Sequence, residues 1–287
     1  MSSPAQPAPL YVTDLDGTLI RDDLTLSAWA RAELVALLEE GVLLTVATAR
    51  SIASLSAILG DIPFRLPVVE FGGAFLTDYK TRRHTLVNAI SHALGEEVYG
   101  LIDAAGMQPF LSAWDGTRDL LYYRGITNEG ENAYYQERLA LKDDRLRRVD
   151  DLTVGLSNQV VCFTLIHREA ALAGVADRLS ERFGSALTIT SYAFRYFPGW
   201  HFLSVHDARA TKEHGIRALQ KAHGLEDAPL VVFGDDVNDI GMFRAAKHAV
   251  AVSNARPELK ALAHETIGSN QEDSVIRWLR AKGAWRP

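Results

Sequence analysis

Apolar positions along the chain follow two periods, and the switches between them mark the elements. Leu10-Tyr11-Val12 is an unbroken apolar run, the pattern of a strand buried on both faces. Arg21 to Leu26 is a polar connection, and Ser27 stands as an N-cap. From Ala28 to Glu40, Ala30, Leu34, Leu37 and Leu38 recur at helical spacing, with Gly41 as the stop. Val42 to Val46 is again near-continuously apolar and ends at Ala47-Thr48-Ala49-Arg50. A helix over Ser51 to Leu59 and a strand over Val68 to Phe71, reaching Gly72-Gly73, complete a strand–helix alternation with short links. That alternation is the βαβ pattern of a parallel sheet.

The pattern then changes. A helix is predicted over Asn88 to Ala105, and strands over Gln108 to Ala113 and Leu120 to Tyr123 flank the turn residues Asp115-Gly116. Glu129 to Leu141 reads as a helix, charges crowd Lys142 to Asp151, and Val160 to Ile166, Glu169 to Phe183 and Leu187 to Tyr192 read as strand, helix, strand. From Phe202 the first pattern resumes: a helix over Thr211 to His223 and a strand over Leu230 to Phe233 that ends at Gly234-Asp235-Asp236. A short helix over Asp239 to Ala245, a strand over Ala249 to Val252 and helices over Pro257 to Ala263 and Ser274 to Leu279 follow. The fold expected is α/β: a doubly wound, Rossmann-type parallel-sheet core formed by residues 1–78 and 202–287, with an α+β domain inserted over residues 79–201.

Composition narrows the function classes. With 287 residues, 47% hydrophobic and 23% charged, the chain is an ordinary globular protein with ample core. A net charge of −6 argues against nucleic-acid binding, which leaves a basic footprint. The single cysteine, Cys162, excludes an intrachain disulfide and suits a reducing compartment. Its setting, Val160-Val161-Cys162-Phe163, reads as a small buried hydrophobe rather than a reactive thiol. No apolar run reaches the roughly 18 residues that span a bilayer. Residues 2–9, with neither a basic region nor an apolar signal core, read as a disordered lead-in. These features together predict a cytoplasmic protein with no nucleic-acid or membrane partner, acting as a monomer or homodimer.

The polar clusters fall where a doubly wound sheet binds ligands, at the carboxyl ends of strands. Asp14 and Asp16 stand at i and i+2 where the first strand ends, a spacing that points both to the same side. Paired carboxylates repel unless a positive group relieves them, and with a divalent cation one carboxylate serves as nucleophile while the other moves a proton. Thr48 ends the second strand and Lys212 opens a helix. Asp235, Asp236, Asn238 and Asp239 crowd oxygen donors that invite a hard cation. Singly, each has a structural reading: turn chemistry, an N-cap, a solvated lysine, Asx turns. Jointly, in this order on the ends of one sheet, they define a site.

Asp14-Leu15-Asp16-Gly17-Thr18-Leu19 resembles the first motif of the haloacid-dehalogenase-like (HAD) superfamily. Ala47-Thr48-Ala49-Arg50 is similar to the second, Thr211-Lys212 to the third, and Gly234-Asp235-Asp236-Val237-Asn238-Asp239 to the fourth. The insertion resembles the type-two cap of the Cof-type sugar-phosphate phosphatases. Residues 249–255 and 269–275 resemble the family's closing segments. The chain departs from the family pattern at Ala49, where glycine is usual, at Gly72-Gly73, which replaces an Asn-Gly pair, and at Glu213, where glycine follows the lysine.

The resemblance implies a phosphatase for a small phosphomonoester such as a sugar phosphate, since a lid of this kind excludes polymers. It implies Mg²⁺ held by Asp14, the Asp16 backbone carbonyl and Asp235, with Asp239 holding a metal-bound water or orienting Lys212. Thr48, the Ala49 N–H and Lys212 would grip phosphate, with Asn238 adding an amide contact. Asp14 would form an aspartyl-phosphate, and Asp16 would protonate the leaving group and then deprotonate water. Cap residues that could line the substrate side are Trp114, Arg118, Tyr122, Tyr123, Arg124, Arg195, Tyr196, Trp200 and His201. The alternatives are a phosphomutase-like phosphotransferase and a non-catalytic phosphometabolite sensor; dehalogenation uses neither the cation cluster nor Asp16.

Overall fold

The computed structural model describes residues 7–195 and 197–282. The lead-in over residues 2–9 lies outside the described residues up to residue 6, and so does Tyr196. The chain forms two compact units, Met1–Leu86 with Thr211–Pro287, and Val87–Ala210.

The first segment contains β1 (Leu10–Thr13), α1 (Ala28–Glu39), β2 (Leu43–Val46), α2 (Ile52–Leu59), β3 (Val68–Glu70), β4 (Phe75–Thr77) and β5 (His84–Val87). The caps are those expected from the side chains: Ser27 Oγ accepts from Ala30 N, and Ser51 Oγ from Ser54 N. Phe71–Gly73 is a 3₁₀ turn rather than the end of a strand, and β4 and β5 complete an antiparallel sheet with β3. These two strands were not expected. They are short, and β5 is only half buried, so neither carries a clear period.

The inserted unit contains α3 (His92–Ala104), β6 (Phe110–Trp114), β7 (Asp119–Tyr123), α4 (Glu129–Ala140), β8 (Leu146–Arg148), α5 (Thr153–Leu156), β9 (Gln159–His167), α6 (Glu169–Phe183), β10 (Leu187–Ala193) and β11 (His201–Asp207). Its six strands run in the order β10-β11-β9-β6-β7-β8, antiparallel except for the β7–β8 pair. Strand alternation divides the core into two layers. Leu111, Phe163, Leu165, Leu203 and Val205 pack with Val98 and Ile102 of α3 and Leu172 and Val175 of α6. Phe110, Ile166 and Phe202 face the other way and pack with Tyr134 and Tyr135 of α4. The units divide at 86/87 and 210/211, not at 78/79 and 201/202. The reason is pairing: β11 is bonded to both β9 and β10, so the first pattern resumes only at Thr211.

The last segment contains α7 (Lys212–His223), β12 (Leu230–Gly234), α8 (Ile240–Ala245), β13 (His248–Ala251), α9 (Pro257–Lys260), β14 (Glu265–Thr266) and α10 (Ser274–Lys282). The parallel sheet runs β14-β13-β12-β1-β2, and an isolated bridge joins Ala47 to Val69 beside β3. Its central strands β1 and β12 are buried along their whole length, which explains their near-continuous apolar sequence. This is the expected doubly wound α/β core, with an α+β unit inserted. No helix among the described residues is long and apolar enough to cross a membrane.

Candidate active site

β1 and β12 are adjacent and parallel, with Thr13 opposite Phe233. Asp14 and Asp235 therefore leave the sheet side by side, and Asp14 N donates to Phe233 O at 2.9 Å. A 3₁₀ turn over Val237–Asp239 folds Asp239 back, and its Oδ2 accepts from the N–H groups of Asp235 (3.0 Å) and Asp236 (3.2 Å). Gly234 permits that return: a Cβ there would lie 2.5 Å from Asp239 Oδ2.

Lys212 is the first residue of α7, where Thr211 is the N-cap. A cation at a helix N-terminus opposes the helix dipole, so something stronger must hold it there. Its Nζ lies 2.5 Å from Asp14 Oδ1 and 2.6 Å from Asp239 Oδ1, with all three side chains buried. The entry to α7 is fixed by close packing at Gly73, whose φ is +112° and where a Cβ would fall 2.1 Å from the Thr211 carbonyl oxygen. Of the Gly72-Gly73 pair, this second glycine is the one that the geometry requires.

Carboxylate oxygens of Asp14, Asp235 and Asp239 all lie within 4.8 Å of one another. At an effective dielectric near 20, each like-charge pair at such a distance repels by roughly 3 kcal/mol. Three carboxylates face one ammonium, an imbalance of two negative charges. Burial raises the pKa of Asp14 well above the ordinary carboxylate range; Lys212 pulls it down, and Asp239 and Asp235 push it further up. Burial also works against the Lys212 ammonium, but Asp14 and Asp239 outweigh it and hold the lysine charged above its usual range. An all-oxygen, doubly anionic donor set is the chemistry that a small hard divalent cation fits.

The other expected residues are placed differently. β1 ends at Thr13, so strand alternation does not orient Asp14 and Asp16 together. The Asp16 carboxylate stays out of the buried cluster and takes a fork from Arg50, with Nε to Oδ2 and Nη2 to Oδ1 both at 2.8 Å. Thr48 is buried, its Oγ1 accepts from Arg50 N at 3.1 Å, and Gly72 N bonds its carbonyl at 2.9 Å. Ala49 and Asn238 are exposed. Asp236 caps its own turn by accepting from Val237 N, so only two of the four polar residues in that run join the cluster.

Several contributors carried no expectation. Thr18 Oγ1 donates to Asp235 Oδ1 at 3.2 Å. Asn254 Nδ2 donates to Gly17 O at 2.8 Å, and Asn254 Oδ1 accepts from Asn270 N at 3.0 Å, tying the turn after Asp16 to both closing segments. Buried Glu70 accepts from Ile52 N, at the start of α2, and from Thr77 Oγ1 at 2.5 Å. It thereby anchors the helix that follows Thr48 and Arg50. Their only signal in the sequence was position: Arg50 and the two asparagines lie inside motif-like segments.

In the inserted unit, Tyr122 packs into the core layer on the α3 and α6 side and Trp200 into the α4 layer. Arg118 pairs with Asp115 at 3.3 Å and Arg124 with Asp103 at 3.3 Å. Tyr122 and Trp200 are thus structural side chains.

The profile of the haloacid dehalogenase-like hydrolases matches residues 11–279, and the chain belongs to that family. Within it the chain is a Cof-type phosphatase, a phosphoric monoester hydrolase. It is 25% identical over 275 residues to the 5-amino-6-(5-phospho-D-ribitylamino)uracil phosphatase YitU of Bacillus subtilis (strain 168), covering 94% of this chain and 96% of that protein. It is 22% identical over 281 residues to the HMP-PP phosphatase of Serratia proteamaculans (strain 568), covering 94% of each. A haloacid dehalogenase-like hydrolase from Bacteroides thetaiotaomicron has the same fold, with a TM-score of 0.77 at 20% identity over 96% of this chain and 99% of that one. A crystal structure from Thermotoga maritima also scores 0.77, at 23% identity over 96% and 97%.

Proposed function

We propose that this chain is a Mg²⁺-dependent, cytoplasmic phosphatase that hydrolyses a small phosphorylated metabolite through an aspartyl-phosphate on Asp14. The observation that carries this reading is the buried cluster of Asp14, Asp235 and Asp239 around Lys212, with its excess of two negative charges. Mg²⁺ would be held by the Asp14 and Asp235 carboxylates and the Asp16 backbone carbonyl, and when bound it supplies the positive charge that lets a carboxylate approach a phosphate dianion. Lys212, Thr48 and the Ala49 N–H grip the phosphate oxygens, with Asn238 adding an amide contact. Asp239 holds Lys212 in place, as its 2.6 Å contact supports.

Asp14 attacks phosphorus in line while Asp16 gives a proton to the departing alkoxide. Asp16 then takes a proton from the water that cleaves the phosphorus–Asp14 bond, and Asp14 leaves as a carboxylate. The inserted unit serves as the substrate lid. The two relatives named above act on small phosphorylated compounds, which favours that class over phosphoproteins.

The test is release of inorganic phosphate from a panel of small phosphomonoesters. Turnover is expected with Mg²⁺ and is lost with EDTA, returning on readdition of the metal. Full activity in EDTA would refute the reading.

A further inference from the structure

Asp16 is the proton carrier in the reading above, yet it stands apart from the cluster it serves. It follows β1 in a turn that Gly17 opens at φ +74°. Its side chain is 28% exposed, against 8% for Asp14. Arg50 engages it directly. The fork of Nε and Nη2 engages both carboxylate oxygens, and the third nitrogen, Nη1, donates to Ser54 Oγ at 2.8 Å. The Arg50 carbonyl in turn accepts from Phe71 N at 3.1 Å. The guanidinium is therefore braced by α2 and the Arg50 backbone by the turn after β3, and a planar bidentate pair fixes direction as well as distance.

Arg50 also follows Thr48 and Ala49 directly in the chain. The segment that grips phosphate is the segment that holds Asp16, so phosphate and proton carrier are kept in register by three consecutive residues. A carboxylate that accepts hydrogen bonds on both oxygens is held in its ionised form, the form in which it can take a proton. The second half of the reaction demands that: water attacks phosphorus, its proton passes to Asp16, and the bond to Asp14 breaks.

We propose that Arg50 is a positioning residue for this second half-reaction, holding the Asp16 carboxylate where it takes the proton from the attacking water. The proposal rests on the phosphatase reading above. It predicts a kinetic signature that a purely structural arginine would not produce. In Arg50→Gln, assayed with Mg²⁺ and activated aryl phosphates, formation of the phospho-enzyme is spared, because such leaving groups need no proton. Its breakdown slows. The expected kcat is about 100-fold lower, within the usual range for general acid–base catalysis. KM falls with it, kcat/KM holds, and kcat becomes the same for leaving groups of different acidity. Rapid mixing shows a burst of about one equivalent of aryl alcohol, with phosphate trapped on the protein by acid quench, as expected when breakdown limits turnover. Arg50→Lys keeps the positive charge without the fork and carries the same readout if the glutamine variant does not fold. A parallel loss of kcat and kcat/KM without a burst would overturn the proposal, and so would unchanged kinetics. Asp14→Asn separates the two readings. If it still turns over, the aspartyl-phosphate reading fails; if it is inert while the Arg50 variants show no burst, only the role of Arg50 fails.

Discussion

Both units bury an aspartate against a cation, and the two arrangements differ in one respect that decides their use. In the inserted unit, Arg145 forks Asp143 through contacts of 2.8 and 2.7 Å, with side chains 5% and 1% exposed. Burial pushes the Asp143 pKa up, but the hydrogen bonds and charge of Arg145 prevail and leave it below the ordinary range. Asp14 is equally well paired by distance, yet its pKa goes up: burial raises it most, Lys212 pulls it down, and Asp239 and Asp235 push it further up. A buried pair that balances is complete as structure. A buried cluster with more carboxylates than cations is the kind of donor set that invites a further cation, and that difference separates the two arrangements.

The contrast can be broken at its strongest point first. Asp14→Asn removes the nucleophile and is expected to abolish phosphate release, a loss of roughly four orders of magnitude or more, while the folded state survives because one repulsive charge is gone. Near wild-type turnover in the purified variant would sink the assignment. Lys212→Ala comes next. It leaves three carboxylates with no internal cation, so kcat/KM should drop by about two to three orders of magnitude. Melting in EDTA should show a destabilisation of about 3 to 5 kcal/mol, the usual cost of stripping one partner from a buried pair. Saturating Mg²⁺ should recover part of the stability and little of the rate.

The smallest effect belongs to the balanced pair. Asp143→Asn removes the acceptor of the Arg145 fork and should destabilise the inserted unit by about 1 to 3 kcal/mol without touching the cation-dependent chemistry. The pH dependence has a definite sign. The folded pKa of Asp143 is depressed, so its contribution is fully present above the ordinary value of 3.8 and is lost as pH falls through the folded one. Acid melting of the wild type should show this loss, and the asparagine variant should not.

The two units were not equally legible in the sequence. β1, β2 and β12 announced themselves because strands buried on both faces have no polar positions to confuse the reading. β11 did not: no strand was expected over His201–Asp207, whose residues from Phe202 on were given to the core, and only its pairing with β9 and β10 assigns it. β4, β5 and β8 are too short to show a period. Within the site, Asp14, Lys212, Asp235 and Asp239 could be named in advance because strand ends and a helix start deliver them. The partner of Asp16 could not. It depends on how the turn after Thr13 rotates the carboxylate, and nothing local in residues 14–19 specifies Arg50.

The place of β1 in the sheet has a consequence for synthesis. β1 lies between β2 and β12, with Leu10 opposite both Leu43 and Leu230. A ribosome delivers the first of these partners early, and the second only after the whole of Val87–Ala210 has emerged. The strands of the inserted unit find their sheet partners within that unit, so it has what it needs to fold while the core still waits for its last strands. Asp14 is made before the insertion, but Lys212, Asp235 and Asp239, which share its cluster, are all encoded beyond it. The centre is thus assembled late, by closure of a very long loop, and a half-finished chain carries its key aspartate without the means to use it.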